Sequence, residues 1–310
     1  MTPDRTFAEA LAAEVLLLDG GLSNQLEAQG CDLSDALWSA RLLADGPEQI
    51  EAAHTAYVRA GARVLITSSY QASFEGFARR GAGREEAARL FARSVELARA
   101  AAAGAGDKVW VAGSVGPYGA MLADGSEYRG RYGLSVRELE AFHRPRIEAL
   151  AAAEPDVLAL ETVPDVVEAE ALLRAVDDCG VPVWLSYTVA GGRTRAGQDL
   201  AEAFAVAAGN DRVLAVGVNC CDPAEAGAAA ELAVSVSGKP AVVYPNSGER
   251  WDATARGWHG ASAFDPALAA DWAASDWAAS GARLVGGCCR VGPATISALG
   301  PALATPGTGG

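Results

Sequence analysis

The sequence has few positive charges, few histidines and no long apolar run. Lysine and arginine together number 25 against 39 aspartates and glutamates, which gives a formal net charge of -14 at pH 7. Nucleic acids and anionic membranes bind through basic surfaces, so neither is an expected partner. An acidic chain is compatible with a cationic small molecule, but the same net charge also serves solubility alone.

No run of roughly 18 consecutive apolar residues, the length that a bilayer span needs, is present. The first apolar run, Val15–Leu18, is shorter than the core of a secretory signal and leads directly into Asp19. The expected localisation is therefore the cytoplasm. Six cysteines in such a chain indicate metal binding or catalysis rather than a disulfide framework.

Short apolar runs recur along the chain with segments rich in Ala, Leu and Glu between them. Near-continuous apolar runs are typical of parallel strands that are covered on both faces. Eight strand–helix units over 310 residues predict an α/β fold, a single (β/α)8 TIM-type barrel. The predicted strands are Val15–Leu18, Val64–Thr67, Val109–Ala112, Val157–Leu160, Val183–Ser186, Val213–Val218, Ala241–Tyr244 and Arg283–Val285.

The barrel domain is expected to occupy residues 1–304, followed by a disordered tail over residues 305–310. The Gly- and Tyr-rich segment Gly119–Gly133 is too long for an ordinary connection and is predicted to be a functional loop. A tandem DWAAS repeat places Trp272 and Trp277 about 140° apart around a helix. One of the two rings is therefore expected to be exposed or to cover a neighbouring element.

Cysteines follow two of the predicted strands, and the reactive groups of a barrel collect where its strands end. Cys220 follows the sixth strand, and Cys288 and Cys289 follow the eighth. Three thiolates on one rim match a catalytic zinc site, which keeps a fourth position open, whereas structural sites close with four ligands. The alternative is two buried thiol clusters or a disulfide. Because neighbouring strand residues point to opposite faces, only one of Cys220 and Cys221 is expected to face the barrel mouth.

Two carboxylates, Asp19 and Glu161, end the first and fourth strands. Beside a thiolate-bound metal they are best explained as a grip for a substrate ammonium, although a strand-end acid often caps a helix instead. Trp38 and Tyr70 follow the first two strands, and aromatic faces bind ammonium or sulfonium groups with about 0.5–2 kcal/mol or simply pack. None of the three histidines lies at a strand end, so no metal or base role is expected for them.

Eight segments carry a resemblance to a known family. GVNC at 217–220 and GGCCRVGP at 286–293 are the specific pair. The others are LLDGGLSNQLEAQG at 17–30, LWSARLL at 37–43, ITSSYQAS at 66–73, GSVGPYGAMLADGSEYRG at 113–130, LALETVPDVVEAEALL at 158–173 and YPNSGERWD at 244–252. Through them the sequence resembles the homocysteine S-methyltransferase family over almost its whole length. The resemblance implies a zinc enzyme that transfers a methyl group to the sulfur of L-homocysteine and so forms methionine.

The resemblance also implies roles for individual residues. The implied ligands of one zinc ion per chain are Cys220, Cys288 and Cys289. The implied substrate-binding residues are Asp19, Gly20, Gly21, Trp38, Tyr70 and Glu161. The two acids would hold the amino group of homocysteine, the glycine amides its carboxylate, and the aromatic rings would line the pocket.

The segment at 113–130 resembles the branch of the family that uses the sulfonium S-methylmethionine, and often S-adenosylmethionine, as methyl donor. Betaine-using relatives carry Tyr after the equivalent of Glu161, where this chain has Thr162. Two alternatives stay open, namely betaine or another donor, and a non-enzymatic zinc- or thiol-sensing barrel. The expected mechanism is an in-line displacement in a ternary complex, with the homocysteine sulfur on the open metal position and no general base.

Overall fold

The computed structural model describes residues 5–33, 38–252, 257–259, 262, 266–272 and 276–304. Its central sheet has eight parallel strands, numbered β1 to β8 in chain order. They are β1 Leu16–Leu17, β2 Val64–Ile66, β3 Trp110–Val115, β4 Val157–Val163, β5 Val183–Tyr187, β6 Val213–Asn219, β7 Ala241–Tyr244 and β8 Ala282–Val285. Each overlaps the apolar run that predicted it, and the parallel pairing of all eight confirms the α/β class and the TIM-type barrel.

The sheet order is β1-β8-β7-β6-β5-β4-β3-β2. The two ends of this order meet through a parallel bridge between Leu18 and Val64. There the Asp19 amide donates to the Val64 carbonyl at 3.0 Å, and the Arg63 amide donates to the Leu17 carbonyl at 2.8 Å. These bonds close the sheet into a barrel, and all eight carboxyl-terminal strand ends therefore lie on one rim.

Helices surround the barrel and pack their apolar stripes against it. They are α1 Phe7–Ala13, α2 Leu22–Ala28, α3 Leu42–Asp45, α4 Pro47–Arg59, α5 Phe74–Arg79, α6 Arg84–Ala103, α7 Tyr118–Leu122, α8 Val136–Ala151, α9 Val166–Ala175, α10 Leu200–Ala205, α11 Pro223–Ser237, α12 Pro266–Trp272 and α13 Pro293–Ala304. Short 3-10 turns span Trp38–Arg41 and Ser126–Tyr128. Two antiparallel pairs join Val189–Ala190 to Arg193–Thr194 and Arg250–Asp252 to Gly257–His259.

The barrel interior is filled at its amino-terminal end. Alternate strand residues point inward, among them the large rings of Trp110 and Trp184 near the starts of β3 and β5. Phe7 of α1 packs against both, with ring centroids 6.3 Å and 6.4 Å away. Because α1 covers this end, the opposite end, where the strands finish, is left for ligands.

Trp277 is fully buried, whereas Trp272 is half-buried and lies against it, with 6.3 Å between ring centroids. Trp277 thus belongs to the core, and Trp272 packs against the same core, whereas the sequence predicts that one ring is exposed or covers a neighbouring element. The proposed tail over residues 305–310 lies outside the described residues. In the described part of the chain, none of the helices combines the length and hydropathy that a bilayer span requires.

Candidate metal and substrate site

Three cysteine sulfurs meet at the carboxyl-terminal rim of the barrel. The Sγ atom of Cys220 lies 3.0 Å from that of Cys288 and 3.6 Å from that of Cys289, and the latter two are 4.0 Å apart. All three are free thiols, at distances well beyond a disulfide bond of about 2.05 Å. The structure therefore brings the predicted ligands around one point, close enough together to hold a single metal ion.

The backbone after β6 separates two neighbouring thiols. Cys220 has a φ of 51°, in the left-handed region that non-glycine residues rarely adopt. Its sulfur faces the mouth, while Cys221 is buried in the apolar layer between strands and helices. Burial there raises the pKa of the Cys221 thiol. Only one of the pair is thus available to a ligand, as the sequence predicts.

Hydrogen bonds within the cluster shift the pKa values of the three thiols in opposite directions. Hydrogen bonds from Cys288 and Cys289 lower the pKa of Cys220, and the Tyr128 hydroxyl, 3.4 Å from the Cys220 Sγ, acts in the same direction. The same bonds to Cys220 raise the pKa of the Cys288 and Cys289 thiols, because each must keep its proton to donate. A bound cation would displace these shared protons and take up all three sulfurs.

Glu161 is buried near the end of β4 and is held at both oxygens. The Ser114 hydroxyl donates to Oε1, and the Tyr244 hydroxyl donates to Oε2 at 3.0 Å. Burial nevertheless raises the pKa of Glu161 to about 7, against the lowering effect of these two hydrogen bonds. A positive group placed beside it would stabilise the ionised form.

Asp19 follows β1 and is 1% exposed. Its Oδ2 accepts a hydrogen bond from the Ile66 amide at 2.9 Å, while Oδ1 is buried without a partner among the described residues. Burial raises the pKa of Asp19, and the charge of Glu161 raises it further. Because the two buried carboxylates repel each other, a cation bound between them would lower the cost of ionising both.

A cavity of about 540 Å³ joins these groups. Its walls include Gly20, Gly21, Tyr70, Ser114, Glu127, Tyr128, Glu161, Thr162, Cys220, Tyr244, Cys288 and Cys289. Asp19 lies behind this wall, between the wall residues Gly20 and Ile66, to which it is joined by the chain and by a hydrogen bond. The side chain of Trp38 lies outside the described part of the chain, so its predicted place in the pocket stays a prediction.

Gly20 and Gly21 lie where the first strand end meets the loop after β8. A Cβ atom at Gly20 would lie 2.2 Å from the Val291 carbonyl oxygen, so only glycine fits. The Gly21 amide donates to that same carbonyl at 2.9 Å. Among the described backbone hydrogen bonds none uses the Gly20 amide, whereas the Gly21 amide is already bonded.

The homocysteine S-methyltransferase family model matches residues 16–303, which include every strand and all three cysteines of the cluster. The chain belongs to this family.

Homocysteine S-methyltransferases of known sequence and structure are similar to the chain over nearly their full lengths. The protein of that name from Escherichia coli K12 is 46% identical, covering 92% of this chain and 94% of its own, and YbgG from Bacillus subtilis is 41% identical over 92% and 93%. The solved structure of the E. coli homocysteine methyltransferase MmuM in its metallated form has a TM-score of 0.81 at 44% identity and covers 92% of this chain and 95% of that one. The prediction of an enzyme of this family is confirmed.

In this family member, polar residues that hold the site in place extend the predicted set. Asn219 at the end of β6 donates from Nδ2 to the Thr162 hydroxyl and accepts from the Thr162 amide, each at 2.7 Å. These bonds fix Thr162 at a φ of 59°, directly after Glu161. Ser114 and Tyr244 fix Glu161 itself. The sequence could have indicated Asn219, Ser114 and Tyr244 by their position, because each lies at or near a strand end. Their hydrogen-bond partners, however, are known only from the folded structure.

The substitution Glu161→Gln is expected to stabilise the substrate-free enzyme at pH 8 and much less at pH 5. The pKa of Glu161 is raised from 4.5 to about 7 on folding, so the folded chain holds this proton more tightly than the unfolded chain. The tighter proton binding by Glu161 adds up to about 3 kcal/mol to the free energy of unfolding. This contribution is fully present below about pH 4.5 and is lost as the pH rises through about 7. Glutamine has no such loss. Denaturation midpoints of both proteins at the two pH values test this, and an equal difference at both would contradict it.

Proposed function

We propose that the protein transfers a methyl group from a sulfonium donor, S-methylmethionine and also S-adenosylmethionine, to the sulfur of L-homocysteine and forms methionine, with one zinc ion per chain. The observation that carries this proposal is a single cavity that joins three clustered thiols to a buried carboxylate, with a second acid directly behind its wall. Membership of the homocysteine S-methyltransferase family supports the acceptor.

The donor set and its spacing fit zinc. A tetrahedral zinc ion with Zn–S bonds of about 2.3 Å separates its sulfurs by about 3.8 Å, and the three Sγ–Sγ distances of 3.0, 3.6 and 4.0 Å lie around that value. Cys220, Cys288 and Cys289 would hold the ion and leave a position on the cavity side. When bound, zinc supplies the charge that keeps a substrate thiol deprotonated at neutral pH, where a free thiol with a pKa of about 8.5 is mostly protonated.

The two acids orient the acceptor. The unpartnered Oδ1 of Asp19 and the buried carboxylate of Glu161 would receive the ammonium of homocysteine, and the Gly20 amide its carboxylate. With its amino-acid end held there, the side chain of homocysteine extends toward the cysteines, because Gly20, Glu161 and the three cysteines border one cavity. The residues thus set the direction from which the sulfur meets the donor.

The donor brings an activated methyl group of its own, so the protein has to align the reacting atoms and needs no general base. Tyr70 and Tyr128 border the cavity, with the Tyr128 hydroxyl 3.4 Å from the Cys220 sulfur. Their rings can face a sulfonium by cation–π attraction. His54 and His143 are buried on α4 and α8 and do not border the cavity.

Thr162 favours a sulfonium donor over betaine. Betaine-using relatives carry Tyr at this position, after the equivalent of Glu161. Here the threonine hydroxyl is bound to Asn219 at 2.7 Å and offers no aromatic face to a trimethylammonium group.

A panel of methyl donors tests the proposal. With L-homocysteine and zinc-loaded enzyme, S-methylmethionine and S-adenosylmethionine are expected to yield methionine, and betaine is expected to react at least about a hundredfold more slowly, a barrier difference of about 2.7 kcal/mol. Methionine is measured by chromatography. Betaine turnover as fast as that of S-methylmethionine would refute the proposed preference for sulfonium donors. The absence of turnover with any donor would refute the proposed function.

A further inference from the structure

Glu127 is a buried acid to which the proposed binding of homocysteine assigns no role. It lies in the 3-10 turn Ser126–Tyr128, within the loop between α7 and α8, is 4% exposed and borders the cavity. Its Oε2 is buried without a hydrogen-bond partner among the described residues. A carboxylate oxygen in this state is costly unless a ligand supplies a donor or a positive charge.

The loop holds Glu127 in a defined position. The Ser126 amide donates to the Asp124 carboxylate at 2.9 Å, and the Tyr128 amide donates to the Gly125 carbonyl at 3.1 Å. A Cβ atom at Gly119 would lie 2.4 Å from the Glu127 nitrogen, so the turn packs on α7 at a distance that only glycine allows. Glu127 is therefore placed by the fold at the cavity wall.

The surroundings of Glu127 are aromatic and negative. Burial raises the pKa of Glu127 to about 7, and the charges of Cys220 and Asp124 raise it as well. The next residue, Tyr128, contacts the Cys220 sulfur through its hydroxyl at 3.4 Å. The turn therefore lies beside the cysteine cluster, where a methyl donor must approach, and no described ion pair involves Glu127.

We propose that Glu127 binds the positive charge of the methyl donor, in a subsite separate from the acids that hold homocysteine. Two amino acids, each with an ammonium group, must occupy the cavity together in a ternary complex. Asp19 and Glu161 serve the first, and Glu127 is the remaining buried carboxylate on the described wall for the second. This inference rests on the proposed sulfonium chemistry, and it assigns the donor's cation to a residue of the loop at 113–130.

The substitution Glu127→Gln tests the subsite, because it keeps the shape and removes the charge. The KM for S-methylmethionine is expected to rise by about 30-fold or more, the range for removing one partner of a buried charge pair. The KM for L-homocysteine and the zinc content should stay within about twofold of the wild type, because Glu127 contacts neither in this assignment. Glu127→Asp should recover part of the donor affinity. Glu140→Gln is the control, since it removes a carboxylate that pairs with Arg144 on α8, does not border the cavity, and should leave the donor KM unchanged.

S-methylmethionine carries two positive groups, an ammonium and a sulfonium. The analogue 3-dimethylsulfoniopropionate has the sulfonium but no amino group, so it shows which of the two groups Glu127 binds. Its inhibition constant against S-methylmethionine is unchanged by Glu127→Gln if the carboxylate meets the ammonium, and rises with the donor KM if it meets the sulfonium. An unchanged KM for S-methylmethionine, or an equal rise in the KM for homocysteine, would overturn the inference. Wild-type enzyme that is inactive with every sulfonium donor would instead refute the proposed function.

Discussion

Cys288→Ala is expected to remove both the metal and the methyl transfer while leaving the barrel folded. Its sulfur lies 3.0 Å from that of Cys220 and 4.0 Å from that of Cys289, so its loss leaves only two of the three proposed ligands. Substitution of a residue that only hydrogen-bonds to a metal ligand lowers metal affinity or activity by up to about 100-fold. Substitution of a ligand itself should lower them at least as much. Zinc per chain by elemental analysis, methionine formation and far-UV circular dichroism measure the three quantities.

Cys221→Ala is the matched control for this experiment. It removes a thiol next to a proposed ligand, but one that is buried in the apolar layer behind the strands. Zinc content and turnover should therefore persist, with at most a modest loss of stability. Full zinc and full rate in Cys288→Ala, or a loss of zinc in Cys221→Ala as large as in Cys288→Ala, would refute the ligand assignment.

Glu161→Gln is expected to raise the KM for L-homocysteine by about 30-fold or more, because it removes the charge from the buried acid that is proposed to bind the substrate ammonium. Ser114 and Tyr244 can still bond the amide, which keeps the side chain in place. Zinc content and the KM for S-methylmethionine should change little. Steady-state kinetics with each substrate varied in turn measures the effect.

The surface substitution Glu140→Gln serves as its control, because Glu140 pairs with Arg144 on the outside of α8 and should leave all kinetic constants unchanged. If Glu161→Gln raises both the stability at pH 8 and the KM for L-homocysteine, the enzyme keeps a destabilising buried charge because that charge binds the substrate. Unchanged homocysteine kinetics would remove Glu161 from the substrate site.

The sequence predicts the barrel well because each strand is a separate apolar run between helical segments, and the alternation of strand and helix permits few topologies. The same logic predicts the cysteine cluster. Cys220 and Cys288 are distant in the chain, yet β6 and β8 end on one rim, so their meeting follows from the fold class alone.

The rest of the site depends on loop geometry that periodicity does not encode. The sequence singles out the segment Gly119–Gly133 by its length, but which of its residues border the cavity depends on the tight packing of Gly119 against the turn that carries Glu127. Likewise, the positive φ of Cys220 and the bond between Asn219 and Thr162 are set by contacts between strands. Residue types at strand ends can be read from sequence, but their partners require coordinates.

X-ray absorption at the zinc edge of the reduced enzyme tests the central claim most directly, because it counts the sulfur neighbours of the metal. We predict one zinc per chain with three sulfur neighbours in the substrate-free enzyme, supplied by Cys220, Cys288 and Cys289, and a fourth sulfur only after L-homocysteine is added. A zinc already surrounded by four protein side chains, with a spectrum that homocysteine leaves unchanged, would contradict it.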